Sequence, residues 1–288
     1  MTETPSIQWF PGHMTKTKRM IKANLALVDA VVEIIDARIP LSSKNPDLQS
    51  LINEKPRIVI LNKCDTADEN AIGQWINWYK NQGIIAIPTD CRSGKGLNKF
   101  IPSVKLVLKD LIDKYNAKGM KGRVLHIMVV GIPNVGKSSL INRLAKQKKA
   151  KVEDRPGVTR NKQWVKLDDD IELLDMPGVL WPKFEDKTVA ERLAFTGAVK
   201  DDVVDTEALA SRLLMVMNEN YSKNLTDRYK IEISESEDGY DILQKIGKSR
   251  GMLISGGEID TERAAITVLD EFRAGKLGRI TLERPYGD

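Results

Sequence analysis

A glycine-rich segment of the sequence has the residue types and spacing of a phosphate-binding loop. Residues 131–138 read G-I-P-N-V-G-K-S and follow the apolar run Leu125 to Val130. In such a loop, backbone N–H groups turn toward the phosphates, the lysine reaches the β- and γ-phosphates, and the serine hydroxyl ligates Mg²⁺. The loop alone does not distinguish ATP from GTP. It predicts phosphate contacts from Asn134, Val135, Gly136, Lys137, Ser138 and Ser139.

A D-M-P-G motif follows a second apolar run, Ile171 to Leu174. In the D-x-x-G motif of GTPases, the carboxylate holds Mg²⁺ through water and the glycine N–H meets the γ-phosphate. Thr159 lies between the two motifs, where a switch threonine completes the Mg²⁺ shell and contacts the phosphates. The sequence therefore predicts Ser138, Thr159 and Asp175 around Mg²⁺ and Gly178 beside the γ-phosphate.

The tetrapeptide N-K-C-D directly follows the apolar run Arg57 to Leu61 and supplies a base-recognition motif. The aspartate of N-K-x-D accepts hydrogen bonds from guanine N1 and the exocyclic amine, a donor pair that adenine lacks. The later segment D-C-R-S-G stands where a second guanine loop is expected, and a backbone N–H near Cys91 would face the guanine oxygen. We therefore predict guanine binding by Asn62, Lys63, Asp65 and Cys91.

Apolar runs rich in Val and Ile alternate with helical spacing in the first part of the chain, which predicts a parallel α/β sheet. The expected strands are Ala30 to Ile35, Arg57 to Leu61, Ile84 to Ile87 and Leu125 to Val130, and a hairpin is expected over 163–174. The expected helices there are Glu69 to Gln82 and Leu97 to Tyr115, and a linker follows over 116–123. After Pro182 the pattern becomes helical, over 188–195, 206–220, 239–248 and 261–274. We therefore place domains at 1–182 and 183–288.

Composition is that of an ordinary globular protein, 41% hydrophobic and 30% charged, with a net charge of +5. Two cysteines do not make a disulfide framework, and no run is long and apolar enough to span a membrane. No leader pattern opens the sequence, so we expect a soluble cytoplasmic protein, a monomer that does not bind membranes. Clustered lysines predict either contact with a phosphate backbone or a solvated helix face.

The order of the motifs, with N-K-C-D and D-C-R-S-G ahead of the phosphate loop, resembles that of the circularly permuted GTPases of ribosome assembly. Three further segments strengthen the resemblance: W-F-P-G-H-M at 9–14, D-A-R-I-P at 36–40 and L-W-P at 180–182. The resemblance implies a circularly permuted P-loop G domain, with a mostly parallel sheet and helices on both faces, followed by a smaller all-helical domain. It also implies GTP/GDP and Mg²⁺ as ligands, and assembly of the large ribosomal subunit in the cytoplasm.

Three residues bear on hydrolysis. Val179 stands after D-M-P-G, where many GTPases have a glutamine that orients the attacking water. The resemblance makes His13 a candidate to position that water, although His13 could instead pack among its aromatic neighbours or contact RNA. Asn134 corresponds to an asparagine with which related GTPases bind K⁺ beside the phosphates.

The permutation carries the chain from the γ-phosphate sensor directly into the helical domain. We expect GTP to order residues 151–162 and 175–181, so that both domains bind the rRNA of the large subunit. Hydrolysis would then weaken this binding and release the protein. The alternatives are a nucleotide-regulated RNA-binding scaffold with negligible turnover and an ATP-dependent phosphotransferase, against which Asp65 argues. The expected RNA-binding residues are Lys16, Lys18, Arg19, Lys245, Lys248 and Arg250.

Overall fold

A computed structural model describes residues 19–52, 55–147, 152–153, 163–176, 178, 186–199, 205–234 and 236–285. Of these residues, those up to 178 form one compact unit together with 283–285, and those from 186 to 282 form a second. The predicted division at residue 182 falls in a segment outside the described residues. Residues 283–285 were predicted to be part of the helical domain, but they pack with the first unit because Glu283 is buried among its loops.

The described strands of the first unit form one sheet in the order β3-β2-β1-β4-β7-β6-β5. Strands β1, β2, β3, β4 and β7 run parallel, and β6 and β5 join the β7 edge antiparallel. The strand that precedes the phosphate loop, β4, lies between β1 and β7. The bounds are Ala30–Asp36 (β1), Arg57–Asn62 (β2), Ile85–Thr89 (β3), Leu125–Val130 (β4), Val152–Glu153 (β5), Gln163–Asp168 (β6) and Ile171–Asp175 (β7).

Helices cover the sheet because its central strands are apolar on both faces, as parallel strands require. On one face, apolar side chains of helices α1, α2 and α3 join two buried clusters with alternate strand residues such as Val31 and Ile35. The intervening residues, such as Val32 and Ile34, are fully buried too. The helices of this unit are 19–25 (α1), Pro46–Ile52 (α2), Glu69–Asn81 (α3), Phe100–Val107 (α4), Lys109–Ala117 (α5) and Lys137–Gln147 (α6).

The second unit is helical in its described part. Its helices are Lys187–Phe195 (α7), Thr206–Tyr229 (α8), Gly239–Ser249 (α9) and Thr261–Arg273 (α10). Each begins behind an aspartate whose side chain accepts backbone N–H groups of the first turn. Such N-caps satisfy donors that have no partner within the helix, and each stabilises its helix by about 1 kcal/mol.

The predicted strands and helices are present, with five differences. The single helix expected over 97–115 is a 3₁₀ turn at Leu97–Lys99 followed by α4 and α5, separated at Leu108. Helix α8 continues nine residues past its expected end, across non-helical backbone angles at Tyr221. The remaining differences are α1, α2 and β5, whose short sequences carry too little periodicity to be detected.

Candidate functional site

The described nucleotide-binding motifs lie at one edge of the sheet, because the carboxyl ends of parallel strands are on the same side. Asp36, Asn62 and Thr89 end strands β1, β2 and β3. Gly131 directly follows β4, and Asp175 ends β7. Base-recognition and phosphate-binding motifs that are far apart in the sequence are therefore neighbours in the fold.

The phosphate loop wraps a pocket of about 470 Å³. The pocket is lined by Ile132, Pro133, Asn134, Gly136, Lys137, Ser138, Ser139 and Gly178. Six of these are predicted phosphate contacts, and Val135 lies between them as a buried residue. Gly136 has a φ of +100°, and a Cβ there would lie 2.2 Å from Nδ2 of Asn62. The loop therefore needs glycine at this position for its conformation and its packing.

Gly178 of the D-M-P-G motif packs closely against this loop. A Cβ on Gly178 would lie 3.0 Å from the backbone nitrogen of Pro133, so the two backbones approach closely. Nζ of Lys137 lies 2.6 Å from Oδ1 of Asp175 and donates a hydrogen bond to it. Helix α6 begins at Lys137, and its positive end opens on the same pocket. The structure thus brings a lysine, a helix N-terminus and backbone N–H groups to one place, which is the donor set that binds phosphate.

Asn62 joins the base-recognition loops to the phosphate loop. Its Nδ2 donates to the carbonyl of Val135 at 2.6 Å, and its Oδ1 accepts the backbone N–H of Cys91 at 3.0 Å. The backbone N–H of Cys64 donates to the carbonyl of Thr89 at 3.0 Å, which ties β2 and β3 together beyond their last paired residues. Asp65 follows in this loop and is solvent-exposed. A nearly buried amide with this many partners fixes the distance between the base and phosphate regions.

Asp90 organises the second base-recognition loop. Its carboxylate accepts the backbone N–H groups of Arg92 and Ser93 at 2.8 and 3.2 Å. Burial raises the pKa of Asp90, but hydrogen bonds from Ser93 and Arg92 outweigh it and hold the pKa below its usual value. An ionised aspartate therefore forms this turn.

The backbone N–H of Cys91 is engaged by Asn62 in this structure. A bond from this N–H to the guanine oxygen, as predicted, would require it to be shared with Asn62 or released from it. The Cys91 thiol is buried, and burial raises its pKa to about 11. Since a neutral thiol is a poor nucleophile and metal ligand, Cys91 contributes through its backbone and packing.

An ion-pair cluster around Asp36 lies beside the guanine loop and was not predicted. Asp36 accepts hydrogen bonds from the backbone N–H and Nε of Arg38 at 3.0 and 2.9 Å, and from its Nη2 at 2.8 Å. Nζ of Lys63 lies 2.9 Å from Oδ2 of Asp36. Lys63 also has a left-handed φ of +62°, which is unusual for a residue other than glycine. A signal was available in the sequence, since an aspartate at the end of a buried parallel strand belongs to the site edge.

The oxygen donors near the phosphate loop fit a magnesium ion. Mg²⁺ commonly takes one or two protein oxygens and completes its shell with phosphate oxygens and water. Ser138 lines the pocket, and Asp175 lies beside Lys137 at the same edge. Among the described residues there is no cluster of three or more His, Cys, Asp or Glu side chains, so a protein-only cage is not present in that part of the chain.

Several predicted residues lie outside the described residues. They are His13, Lys16, Lys18, Thr159 and Val179, together with most of 151–162 and 177–182. Asn134 is described, has a φ of +60° and lines the pocket at the position predicted for K⁺ binding.

The remaining predicted RNA-binding residues have different surroundings. Arg19 and Lys248 are exposed. Lys245 pairs with Glu237, and the guanidinium of Arg250 lies 5.4 Å from the ring centre of Tyr229. Within the part of the chain that the structure describes, Arg19 and Lys248 therefore present their charge to solvent without an ion pair or ring contact of this kind. No helix in the described part of the chain has the length and hydropathy to cross a membrane.

Comparisons with known proteins agree with this arrangement. The profile of a family described as "50S ribosome-binding GTPase" matches residues 126–245. The chain is 47% identical to ribosome biogenesis GTPase A of Bacillus cereus over 279 residues, 97% of this chain and 94% of that protein. A GNP-bound YlqF structure from T. maritima matches 95% of this chain and 100% of that one, with 29% identity and a TM-score of 0.62. A GDP-bound structure of TM YlqF matches 93% and 99%, also at 29% identity with a TM-score of 0.62.

Proposed function

The chain belongs to the ribosome biogenesis GTPase A family, and we propose that it binds the large ribosomal subunit in its GTP state, assists a late step of its assembly and leaves after hydrolysis. One observation supports guanine-nucleotide binding most directly. Asn62, in the guanine motif, is hydrogen-bonded both to the phosphate loop and to the second guanine loop. Base and phosphates of one guanine nucleotide can therefore be held by a single connected network.

The proposed nucleotide contacts follow the geometry of the pocket. The backbone of 134–139 and the N-terminus of α6 would receive the phosphates, and Lys137 would exchange its partner Asp175 for phosphate oxygens. Asp65 would accept the two guanine donors. Ser138 and Thr159 would ligate Mg²⁺ directly and Asp175 through water. When bound, this ion neutralises developing charge on the phosphates.

For hydrolysis we propose a slow intrinsic reaction that the large subunit stimulates. Val179 has no group that could align water, so the water must be positioned by another residue. His13 is our candidate for that role. Asn134 would help to hold K⁺, whose charge would act where other GTPases use an arginine. Replacing K⁺ by Na⁺ should then slow hydrolysis, and an unchanged rate would remove the ion from the mechanism.

For the partner we propose the rRNA of the large subunit, bound in the cytoplasm by a monomer. The family description names the 50S ribosome, which supports the choice of subunit. Arg19 and Lys248 are exposed cations in the two units and are our first candidates for phosphate contacts, ahead of Lys245 and Arg250. Replacing one such cation by a neutral residue should reduce the salt dependence of binding by about one counterion.

The test is co-sedimentation with purified ribosomal subunits at fixed salt, with a non-hydrolysable GTP analogue, GDP or no nucleotide. We expect binding to the large subunit only with the analogue. Asp65→Asn should lose binding with the GTP analogue and regain it with the xanthosine analogue, because the amide offers a donor to the xanthine 2-oxygen. Asp113→Asn, an exposed carboxylate on α5, is the matched control and should behave as the wild type.

The outcomes separate the alternatives. Binding that ignores the nucleotide would contradict the switch, and binding to the small subunit would contradict the partner. Analogue-dependent binding without any subunit-stimulated release of phosphate would favour the scaffold with negligible turnover. Unchanged GTP selectivity in Asp65→Asn would contradict the assignment of the base-recognition motif.

A further inference from the structure

The last described residues of the chain return to the G domain. After Leu282 the chain leaves the helical unit, and 283–285 belong to the first unit. The Glu283 side chain is only 2% exposed. Its carboxylate accepts the backbone N–H of Ser42 at 3.1 Å, and also the Ser42 hydroxyl and the backbone N–H of Leu41. Its backbone carbonyl accepts Nε1–H of Trp75 at 3.2 Å.

These contacts reach the guanine loop through the segment that follows β1, residues 37–45. Next to Ser42, the Ser43 hydroxyl oxygen accepts the backbone N–H of Asp36 at 3.0 Å, and the hydroxyl donates to the carbonyl of Ile39 at 2.7 Å. Asp36 in turn pairs with Lys63 of N-K-C-D at 2.9 Å. Hydrogen bonds, together with the backbone that joins Ser42 to Ser43, thus connect Glu283 to the base-recognition motif.

The tail, residues 283–285, also holds the other side of that motif. Nη2 of Arg284 lies 3.4 Å from Oδ2 of Asp68. Asp68 is the N-cap of α3, and its Oδ1 accepts the N–H groups of Asn70 and Ala71. Helix α3 carries Trp75, the donor to the Glu283 carbonyl. Glu283 therefore contacts the segment that follows β1, and Arg284 contacts the N-cap of the helix that follows N-K-C-D.

We propose that Glu283 and Arg284 are positioning residues for guanine recognition. Glu283 keeps the 37–45 segment, and with it Asp36, against Lys63, and Arg284 fixes the start of α3. A buried carboxylate needs its donors in defined places, so displacing the tail would shift the segment that carries them. This inference rests on the proposed guanine specificity, and it gives the tail a part in base selection that the motifs alone do not show.

The tail should affect binding of the guanine base and leave the contacts to the γ-phosphate unchanged. Its contacts lie around residues 36–43, 68 and 75, whereas the pocket for the phosphates is lined by 132–134, 136–139 and 178. Weakening the tail should therefore lower GDP and GTP affinity equally. It should also reduce the preference for GDP over IDP, because hypoxanthine lacks the exocyclic amine that Asp65 would accept.

The experiment measures GDP, GTP and IDP affinities by competition against a fluorescent guanine nucleotide, using the full-length chain with Glu283→Gln. The glutamine amide places a donor against the N–H groups of residues 41 and 42. We expect GDP and GTP affinity to fall about tenfold, the cost of losing a charge-assisted hydrogen bond, with a clearly smaller loss for IDP. Glu271→Gln is the matched control, since Glu271 is a buried, arginine-paired glutamate of the helical unit and should leave all ratios unchanged.

A folded Glu283→Gln variant with an unchanged GDP-to-IDP ratio would overturn the proposal. If that variant does not fold, Ser42→Ala and Arg284→Gln carry the test, because each removes one tail contact at lower cost. A reduced ratio in both supports the proposal, and an unchanged ratio in both overturns it. A wild-type chain without preference for GDP over IDP would instead contradict the proposed guanine specificity itself.

Discussion

Two buried carboxylates on strand β1, Glu33 and Asp36, differ in their surroundings although both are almost inaccessible to solvent. Oε1 of Glu33 accepts a hydrogen bond from the Gln49 amide. Within the described part of the chain its Oε2 has no hydrogen-bond donor, and Nη1 of Arg57 lies 3.6 Å away. Burial therefore raises the pKa of Glu33, and the charges of Arg57 and Lys44 only partly offset the effect.

Asp36 is buried as deeply, yet neighbouring cations outweigh the effect of burial on its pKa. The guanidinium of Arg38 and the ammonium of Lys63 lie within hydrogen-bond distance of its two oxygens. They hold the pKa of Asp36 well below its usual range despite the opposing effect of burial. Asp36 is thus a fixed negative charge at any pH at which the protein would work.

The difference follows from position on the strand. Glu33 lies mid-strand on a face whose flanking residues, Val31 and Ile35, belong to apolar clusters, so few donors can reach it. Asp36 ends the strand at the edge where loops and cations of the site converge. Burial alone therefore does not identify a functional carboxylate. What distinguishes Asp36 is its bond to a residue of the base-recognition motif.

The largest effect should come from Asp36→Asn. The substitution removes the Asp36 charge from the fully buried guanidinium of Arg38, and breaking a buried pair in this way costs about 3 kcal/mol or more. Urea unfolding at pH 7 would measure the loss, and GDP affinity should fall with it because Lys63 loses its anchor. A variant as stable as the wild type would mean that Asp36 and Glu33 are equivalent after all.

A smaller effect is expected from Glu33→Gln at pH 7. The amide keeps an acceptor for Gln49 and removes the cost of a buried charge, while it also removes the attraction of Arg57 and Lys44. These changes oppose each other, so the free energy of unfolding should stay within about 1 kcal/mol of the wild type. GDP affinity should not change. A loss as large as that of Asp36→Asn would contradict the proposed contrast.

The smallest expected effect is the pH dependence of the free energy of unfolding, for which the two carboxylates predict opposite signs. The raised pKa of Glu33 means that the folded state takes up a proton first, so the wild type should gain stability relative to Glu33→Gln as pH falls from 7 toward about 4. The lowered pKa of Asp36 has the opposite sign. The advantage of the wild type over Asp36→Asn should stay constant down to about pH 4 and shrink only below it. Unfolding curves of the three proteins at several pH values would measure the free energy of unfolding of each. They would show whether the difference between the wild type and each variant changes with pH in this way.

Sequence patterns predicted most of the fold because they record local physics. Alternating apolar runs and helical spacing located β1, β2, β4 and α3 to within a residue or two, since a buried strand or amphipathic helix must carry that pattern. The motif spacing also located six of the eight residues that line the pocket at this loop, and their contacts with phosphate stay a prediction. The family and its fold followed from the order of the motifs and agree with the relatives and solved structures described above.

Other features depend on the tertiary structure, because no local pattern records them. The sequence contains Asp36, Asn62 and Cys91 at separate places, but only the sheet register brings their partners within hydrogen-bond distance. The carboxylate of Glu283 accepts a hydrogen bond from the backbone of Leu41, 242 positions away in the sequence. No periodicity near either residue predicts that contact. Local patterns reflect the free energy of forming one element, whereas such bonds exist only after the whole chain has placed donor and acceptor together. The order of residues along the chain was therefore enough to specify the elements and the nucleotide motifs, and tertiary packing set what holds those motifs in place.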